Sequence, residues 1–250
     1  MKTALITGAT SGIGKATAKT LAKLNYNLII TGRRLERLEK LRNEIENKHN
    51  IKIHILNFDI RNREETKKQI ENLPSEFKII DLLINNAGLA SGLSDIQNGN
   101  IDNWEQMIDT NIKGLLYISR AIMPEMVKRK SGQIINITSI AGKETYSKGN
   151  VYCATKHAAD SITKAMRIDM LPYGIKVSSI APGMVDTEFS TVRLGDKEKA
   201  DKVYEGLTPL YAQDIAETVE FIVTRPAHVN INDILIMPTA QANSSHTFKQ

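Results

Sequence analysis

Apolar residues along the chain come in short runs, and each run is followed by a longer stretch in which they recur every third or fourth position. TALIT (3–7) precedes ATAKTLAKL, NLIIT (27–31) precedes LERLEKLRNEI, and IKIHIL (51–56) precedes REETKKQIENL. The runs read as strands and the periodic stretches as amphipathic helices, a βαβαβα opening. The alternation continues through DLLIN (81–85), a helical stretch from about Trp104 to Met126, QIINIT (133–138), a helix near 150–171, KVSSIA (176–181), a helix near 213–224, and DILIM (233–237). Seven apolar strands alternating with helices predict an α/β fold of doubly wound, Rossmann type: a single, mostly parallel seven-stranded sheet with helices on both faces.

Between about Gly183 and Gln213 the rhythm breaks into turn formers and charges. Connections of that length often serve as lids, so 186–210 is expected to be one. The polar end, 239–250, reads as a tail suited to disorder or to a subunit contact. At 250 residues, 41% hydrophobic and 24% charged, the chain has the balance of one globular domain over 1–250.

No apolar run approaches the roughly 18 residues of a membrane span. The chain opens on the strand-like MKTALIT without a leader pattern, and one cysteine, Cys153, precludes an intrachain disulfide. The expected compartment is the cytoplasm. Net charge is +5, yet the basic clusters Lys67-Lys68 and Lys128-Arg129-Lys130 lie in helical patterns without interleaved aromatics. They read as solvated faces, and no nucleic-acid partner is expected. The five histidines, His49, His54, His157, His228 and His246, lack ligand spacing, so no metal is expected.

The chemistry starts at TGATSGIG (7–14), between the first strand and the first helix. Gly8, Gly12 and Gly14, with Thr10, Ser11 and Ile13 among them, permit a tight turn and a close backbone approach to a pyrophosphate at a helix N-terminus. The second strand then runs into Gly32, Arg33 and Arg34, with no acid before Glu36, which sits where the helix macrodipole already favours one. A carboxylate there would hold a ribose 2′-hydroxyl, whereas cations suit a 2′-phosphate, so NADP is expected over NAD.

In VYCATKHAAD (151–160), Tyr152 and Lys156 stand four positions apart and share one helix face. An ammonium about 4 Å from a phenolate, at an effective dielectric near 20, contributes on the order of 4 kcal/mol, or about 3 pK units, enough to bring a tyrosine from 10 toward 7. Cys153, one position on, points about 100° away and reads as a small packing residue. Ser139 follows the strand QIINIT, at the strand end where open sheets bind ligands, with Thr138 as its rival.

Taken in order, TGATSGIG, NNAG (85–88), Asn111, Ser139, Tyr-x-x-x-Lys at 152 and 156, and PGMVDT (182–187) resemble the short-chain dehydrogenases/reductases. The resemblance implies hydride transfer between nicotinamide and a carbinol carbon, with Tyr152 as general acid/base, Ser139 holding the substrate oxygen, and Asn111 holding a water linked to Lys156. It further implies cofactor contacts from Tyr152, Lys156, Asn86, Asp59 and Ile60, and from Pro182, Gly183, Val185 and Thr187 around the nicotinamide. TGRRLERLEKL, NNAGLASG, MIDTNIKGL and PAHVNINDILIMPTAQ resemble, more narrowly, the NADP-dependent 3-hydroxy acid dehydrogenases. That implies small 3-hydroxy acids as substrates (L-serine, L-allo-threonine, 3-hydroxypropionate/malonic semialdehyde) and a homotetramer. Lid residue Arg193 is a candidate anchor for the substrate carboxylate, alongside Ser139 and Tyr152. The competing readings are a broad NADPH carbonyl reductase of hydrophobic ketones, suited by Phe189, Val192 and Leu194 but not by Arg193, Lys197, Lys199 and Lys202, and a non-catalytic NADPH-sensing module.

Overall fold

The structure, a computed structural model, describes residues 1–249, apart from the side chains of Lys199 and Asp201. Six strands, β1 (Thr3–Ile6), β2 (Asn27–Gly32), β3 (Ile53–Asn57), β4 (Leu82–Asn85), β5 (Gln133–Ile137) and β6 (Lys176–Pro182), form one sheet with β9 (Asp233–Ile236). The order is β3-β2-β1-β4-β5-β6-β9 and every pairing is parallel. The chain thus runs outward from β1 to β3 and returns to place β4 on the other side of β1. This reversal opens a crevice between the carboxyl ends of β1 and β4, the place where such sheets take ligands.

Alternation along the strands explains why they read as unbroken apolar runs. Ala4 and Ile6 of β1 face α1 (Gly12–Lys23), α2 (Leu35–Glu46) and α9 (Ala212–Val223), in a core with Leu21, Leu38, Leu41 and Val219. Leu5 between them faces the opposite core, with Ile118, Ile122 and Met126 of α5 (Leu115–Arg129) and Met166 of α6 (Asn150–Met170). With both faces covered, neither side of a strand carries a polar stripe. A buried polar chain crosses the second layer: Asn85 Nδ2 donates to Asn136 Oδ1 at 2.8 Å and Ser119 Oγ at 3.0 Å, and Asn136 Nδ2 donates to Thr163 Oγ1 at 2.8 Å. Asn85 and Asn136 are register partners on β4 and β5.

Three details differ from the sequence pattern. The helical stretch read from Trp104 to Met126 is α4 (Ile101–Ile108), a π-helical segment (Asp109–Gly114) and α5, so Asn111 sits where the helix is locally wider. The connection after β6 is structured. It carries a two-residue strand, β7 (Val185–Asp186), paired in parallel with β8 (Leu210–Tyr211), and two helices, α7 (Glu188–Leu194) and α8 (Lys197–Val203). The tail folds back on its own chain: Gln241 is buried and its Oε1 accepts from Met184 N at 2.8 Å, while Ser244 N donates to Glu144 Oε2 at 2.9 Å. α3 (Arg63–Glu71) completes the helices, and none is long and apolar enough to cross a membrane among the described residues.

Candidate active site

After β1 the backbone enters the left-handed region at Gly8 (φ +68°) and again at Gly12 (φ +50°), where a side chain would be strained. Gly14, in the first turn of α1, lies so close to the preceding loop that a Cβ there would stand 2.4 Å from Gly8 O and 2.5 Å from Asn86 Nδ2. Asn86 braces this loop, donating to Thr7 O at 2.9 Å and Gly8 O at 3.2 Å. Thr7 Oγ1 in turn accepts from the backbone N–H groups of Asn86 and Ala87 at 3.0 and 2.9 Å. Ser11 occupies the N-cap of α1 yet makes no side-chain bond to the helix, so the first-turn N–H groups face the crevice uncapped by it. This is a cradle shaped for a pyrophosphate.

At the end of β2, Arg34 Nη2 donates to Thr10 Oγ1 at 2.8 Å and Ser11 Oγ at 3.0 Å, holding its guanidinium over the loop. Its Nη1 donates to Glu188 Oε2 at 3.0 Å, and Arg37 Nη1 donates to the two Glu188 oxygens at 2.6 and 2.8 Å. Arg33 approaches Asp59 at 3.8 Å, but Arg61 is that carboxylate's closer partner at 2.6 Å. Burial opposes ionisation of Asp59, yet the Arg61 hydrogen bonds and charge hold its carboxyl below the usual range. Ile60, beside it, packs over Gly114. Arg33, Arg34 and Arg37, with no acid at the end of β2, make a fit for a 2′-phosphate.

At the other end of the crevice, Asn111, Ser139, Tyr152 and Lys156 converge. Asn111 is buried, with Oδ1 accepting from Leu89 N at 2.9 Å and Nδ2 donating to Leu89 O at 2.8 Å and Thr155 Oγ1 at 3.0 Å. A Cβ on Gly88 would stand 3.2 Å from Asn111 Oδ1 and 3.5 Å from Lys156 Nζ, so the NNAG turn, the π segment and α6 meet at that glycine. Lys156 Nζ donates to Ile137 O at 3.1 Å. Ser139 Oγ accepts from Ala141 N at 3.1 Å. Its rival Thr138 is buried and turned toward β6, its hydroxyl engaged with Ser179 Oγ at 2.9 Å and Ile180 O at 3.1 Å. That leaves Ser139 as the strand-end hydroxyl beside Tyr152.

The segment after β6 closes over both ends. A Cβ on Gly12 would stand 3.2 Å from Thr187 Cγ2, and Thr187 caps α7 by accepting from Phe189 N at 3.2 Å. Pro182 ends β6, Val185 lies in β7, and Gly183 leaves room for Gln241, whose Oε1 would lie 2.4 Å from a Cβ there. Phe189 packs on Tyr152 with ring centroids 5.7 Å apart. The Arg193 guanidinium lies 5.3 Å from the Tyr152 ring centroid and 5.5 Å from that of Tyr146, donating to Tyr146 Oη at 2.8 Å. Its Nη2 is buried without a hydrogen-bond partner among the described residues. A cleft of about 210 Å³ opens beside Tyr152, lined in part by Ser91, Asn98, Asn103, Trp104 and Asn150. The larger groove, about 860 Å³ between α3 and α5, contains none of these groups. Among the described residues no group of three or more His, Cys, Asp or Glu side chains is placed to hold a metal.

Residues 2–198 match the profile of the short chain dehydrogenases. The chain belongs to the short-chain dehydrogenase family. It is 43% identical over 251 residues to an NADP-dependent 3-hydroxy acid dehydrogenase of Schizosaccharomyces pombe, covering 100% of this chain and 97% of that one. To a serine 3-dehydrogenase of Rhizobium radiobacter it is 43% identical, covering 96% and 95% of the two chains. A solved closed form of serine dehydrogenase in complex with NADP+ superposes with a TM-score of 0.93 at 41% identity, over 99% of each chain. This dehydrogenase is accordingly an NADP-dependent oxidoreductase.

One expectation about the dehydrogenase is not met by the protein groups alone. The four-residue spacing predicts that Lys156 brings the Tyr152 phenol toward neutrality, but burial pushes that phenol up, with Tyr146 adding to the rise and the Ser139 hydroxyl and Arg193 charge only partly offsetting it. Burial likewise pushes the Lys156 ammonium down to about 8. Removal from water disfavours both charged forms and is the largest cause of both shifts. Cys153 is fully buried beside Ala90, Met107 and Ala141, in keeping with a packing role. Arg37, Glu188 and Tyr146 escape sequence reading. Only Arg37 leaves a signal, since it stands one helical turn after Arg34 on the same face.

Proposed function

We propose that this dehydrogenase oxidises the 3-hydroxyl carbon of small 3-hydroxy acids of the L-serine, L-allo-threonine and 3-hydroxypropionate type, or runs the reverse reduction, with 186–210 as its lid. The observation that carries the proposal is the buried, unpartnered Nη2 of Arg193 beside Tyr152. A guanidinium donor withdrawn from water without a partner costs free energy that a substrate carboxylate would recover. The small polar cleft at Tyr152 suits a substrate of that size better than a bulky ketone.

NADP, held by the Gly8–Gly14 loop and the Arg33/Arg34 end, supplies the hydride-accepting ring. For oxidation the Tyr152 phenol gives its proton toward Lys156 and the resulting phenolate takes the hydroxyl proton from the substrate, and reduction runs the two transfers in reverse. Ser139 donates to the substrate oxygen and fixes it beside the phenol. Lys156, whose proton is loosely held, exchanges it with the tyrosine end of the site. Asn111, held on both sides by Leu89, keeps the π segment and the start of α6 in register with that exchange.

Two measurements test this. In a panel followed by NADPH absorbance, serine, allo-threonine or 3-hydroxypropionate is expected to be turned over with higher kcat/KM than a hydrophobic ketone; the reverse order overturns the substrate class. Arg193→Ala is expected to raise KM for serine roughly 10- to 100-fold, the worth of one charge-assisted contact, and an unchanged KM removes Arg193 as anchor. We also propose a cytoplasmic homotetramer. The exposed Ile168, Leu171 and Phe221 and the open edge of β9 support assembly, and a monomeric mass by light scattering would count against it.

A further inference from the structure

The carboxylate of Glu188 is bound by the guanidiniums that face the adenosine end of the crevice. It accepts from Arg34 at 3.0 Å and from Arg37 at 2.6 and 2.8 Å, across 154 and 151 residues of sequence. Glu188 is the first residue of α7 and follows Thr187, whose side chain lies over Gly12. The same residue therefore touches the cations of the nucleotide end and begins the helix that carries Phe189 and Arg193 to Tyr152. An anionic oxygen pair spanning two arginines is the arrangement a phosphate would take up in its place.

We propose that Glu188 is a specificity-determining residue for the cofactor: its carboxylate competes with the adenosine 2′-phosphate for Arg34 and Arg37, and NADP, but not NAD, releases α7 from the nucleotide end. Two like charges cannot share these guanidiniums without repulsion, and the phosphate carries the larger charge and more acceptor oxygens. The pairs are displaceable because both partners are partly exposed, with side-chain exposures of 44–46%, and exposed ion pairs are weak. NAD, with a 2′-hydroxyl, brings no charge to displace them. The inference rests on the assignment of the 2′-phosphate to the arginine end.

The test is a set of equilibrium titrations without substrate, using NADP, NAD and adenosine 2′,5′-bisphosphate, on the wild type, Glu188→Gln, Arg34→Ala and the double variant. Glu188→Gln is expected to tighten NADP and the bisphosphate roughly three- to ten-fold, from the loss of two weak competing pairs, and to leave NAD unchanged. The gain should shrink in the Arg34→Ala background, since the cycle isolates the pair. Hydrogen exchange in residues 188–194 should speed up on adding the bisphosphate to the wild type and change little in Glu188→Gln. A wild type that does not prefer NADP to NAD overturns the assignment of the phosphate site. A wild type that does prefer it, with Glu188→Gln leaving NADP unchanged, weakening it, or tightening both dinucleotides equally, overturns the competition. Unchanged exchange on adding the bisphosphate overturns the release of α7.

Discussion

Tyr152→Phe is expected to lower kcat roughly 10²- to 10⁴-fold, the range that a positioned acid/base group contributes, while NADP affinity and thermal stability stay near wild type. The change deletes one oxygen and keeps the ring. The ring packs on Phe189, lies under Arg193 and belongs to the apolar cluster with Ala90, Met107 and Cys153, so the phenylalanine inherits these contacts. What it loses is the hydroxyl to which we assign proton exchange with the substrate, hydrogen-bonded to Ser139 and one helical turn before Lys156, whose ammonium burial pushes down to about 8. Steady-state rates with matched NADP titrations decide the matter: turnover close to wild type would move the proton transfer to another group.

Gly14→Ala is expected to be nearly as damaging by a wholly different route. Ordinary Cβ contacts begin near 3.4 Å, whereas the new methyl would lie 2.4 Å from Gly8 O, so loop and helix must part by about 1 Å. Neither neighbour is a flexible chain end: one is backbone, and the other, Asn86 Nδ2, is tied to Thr7 O and Gly8 O. Overpacking of this kind costs about 1–3 kcal/mol, and each kcal/mol lowers Tm by about 2–4 °C in a protein of this length. The larger consequence is for the nucleotide, since a misplacement near 1 Å in a site can cost on the order of 10²-fold. Calorimetry and NADP titration read the two effects separately, and a variant that binds NADP like the wild type shows that the close approach is not required.

The framework of the molecule is legible in the chain because burial on both faces writes most strands as short apolar runs, as the ALI of TALIT and the LII of NLIIT do. The glycine loop is legible too, since its residue types are dictated by backbone geometry within a few positions. What escapes is whatever is assembled from distant segments. The Arg37–Glu188 pair joins α2 to α7, Tyr146 reaches Arg193 across 47 residues, and Gln241 returns from the tail to cap Met184 N. β7 and β8, at two residues each, are too short to show a period. DTNIKG looks like ordinary helix, yet it widens to a π segment that turns Asn111 toward Leu89 and Thr155. The rise that burial imposes on Tyr152 escapes for a related reason: spacing reports a helix face shared with Lys156 but not how far both groups are withdrawn from water.

The paired amides Asn85 and Asn136 bear on how faithfully this chain folds. They meet across β4 and β5 at one register only. Sliding one strand by a single residue would send its amide to the opposite face, away from its partner, and leave buried donors and acceptors unmatched, each costing about 1–3 kcal/mol. Apolar neighbours such as Ile84 and Ile135 could tolerate such a slip far better, because they discriminate little among one another. The slip would also carry Ser139 about 3.3 Å along the sheet relative to the NNAG turn. Two asparagines in the middle of the protein thus act as an alignment mark, ensuring that the molecules which complete folding are those with their reactive groups at matching heights.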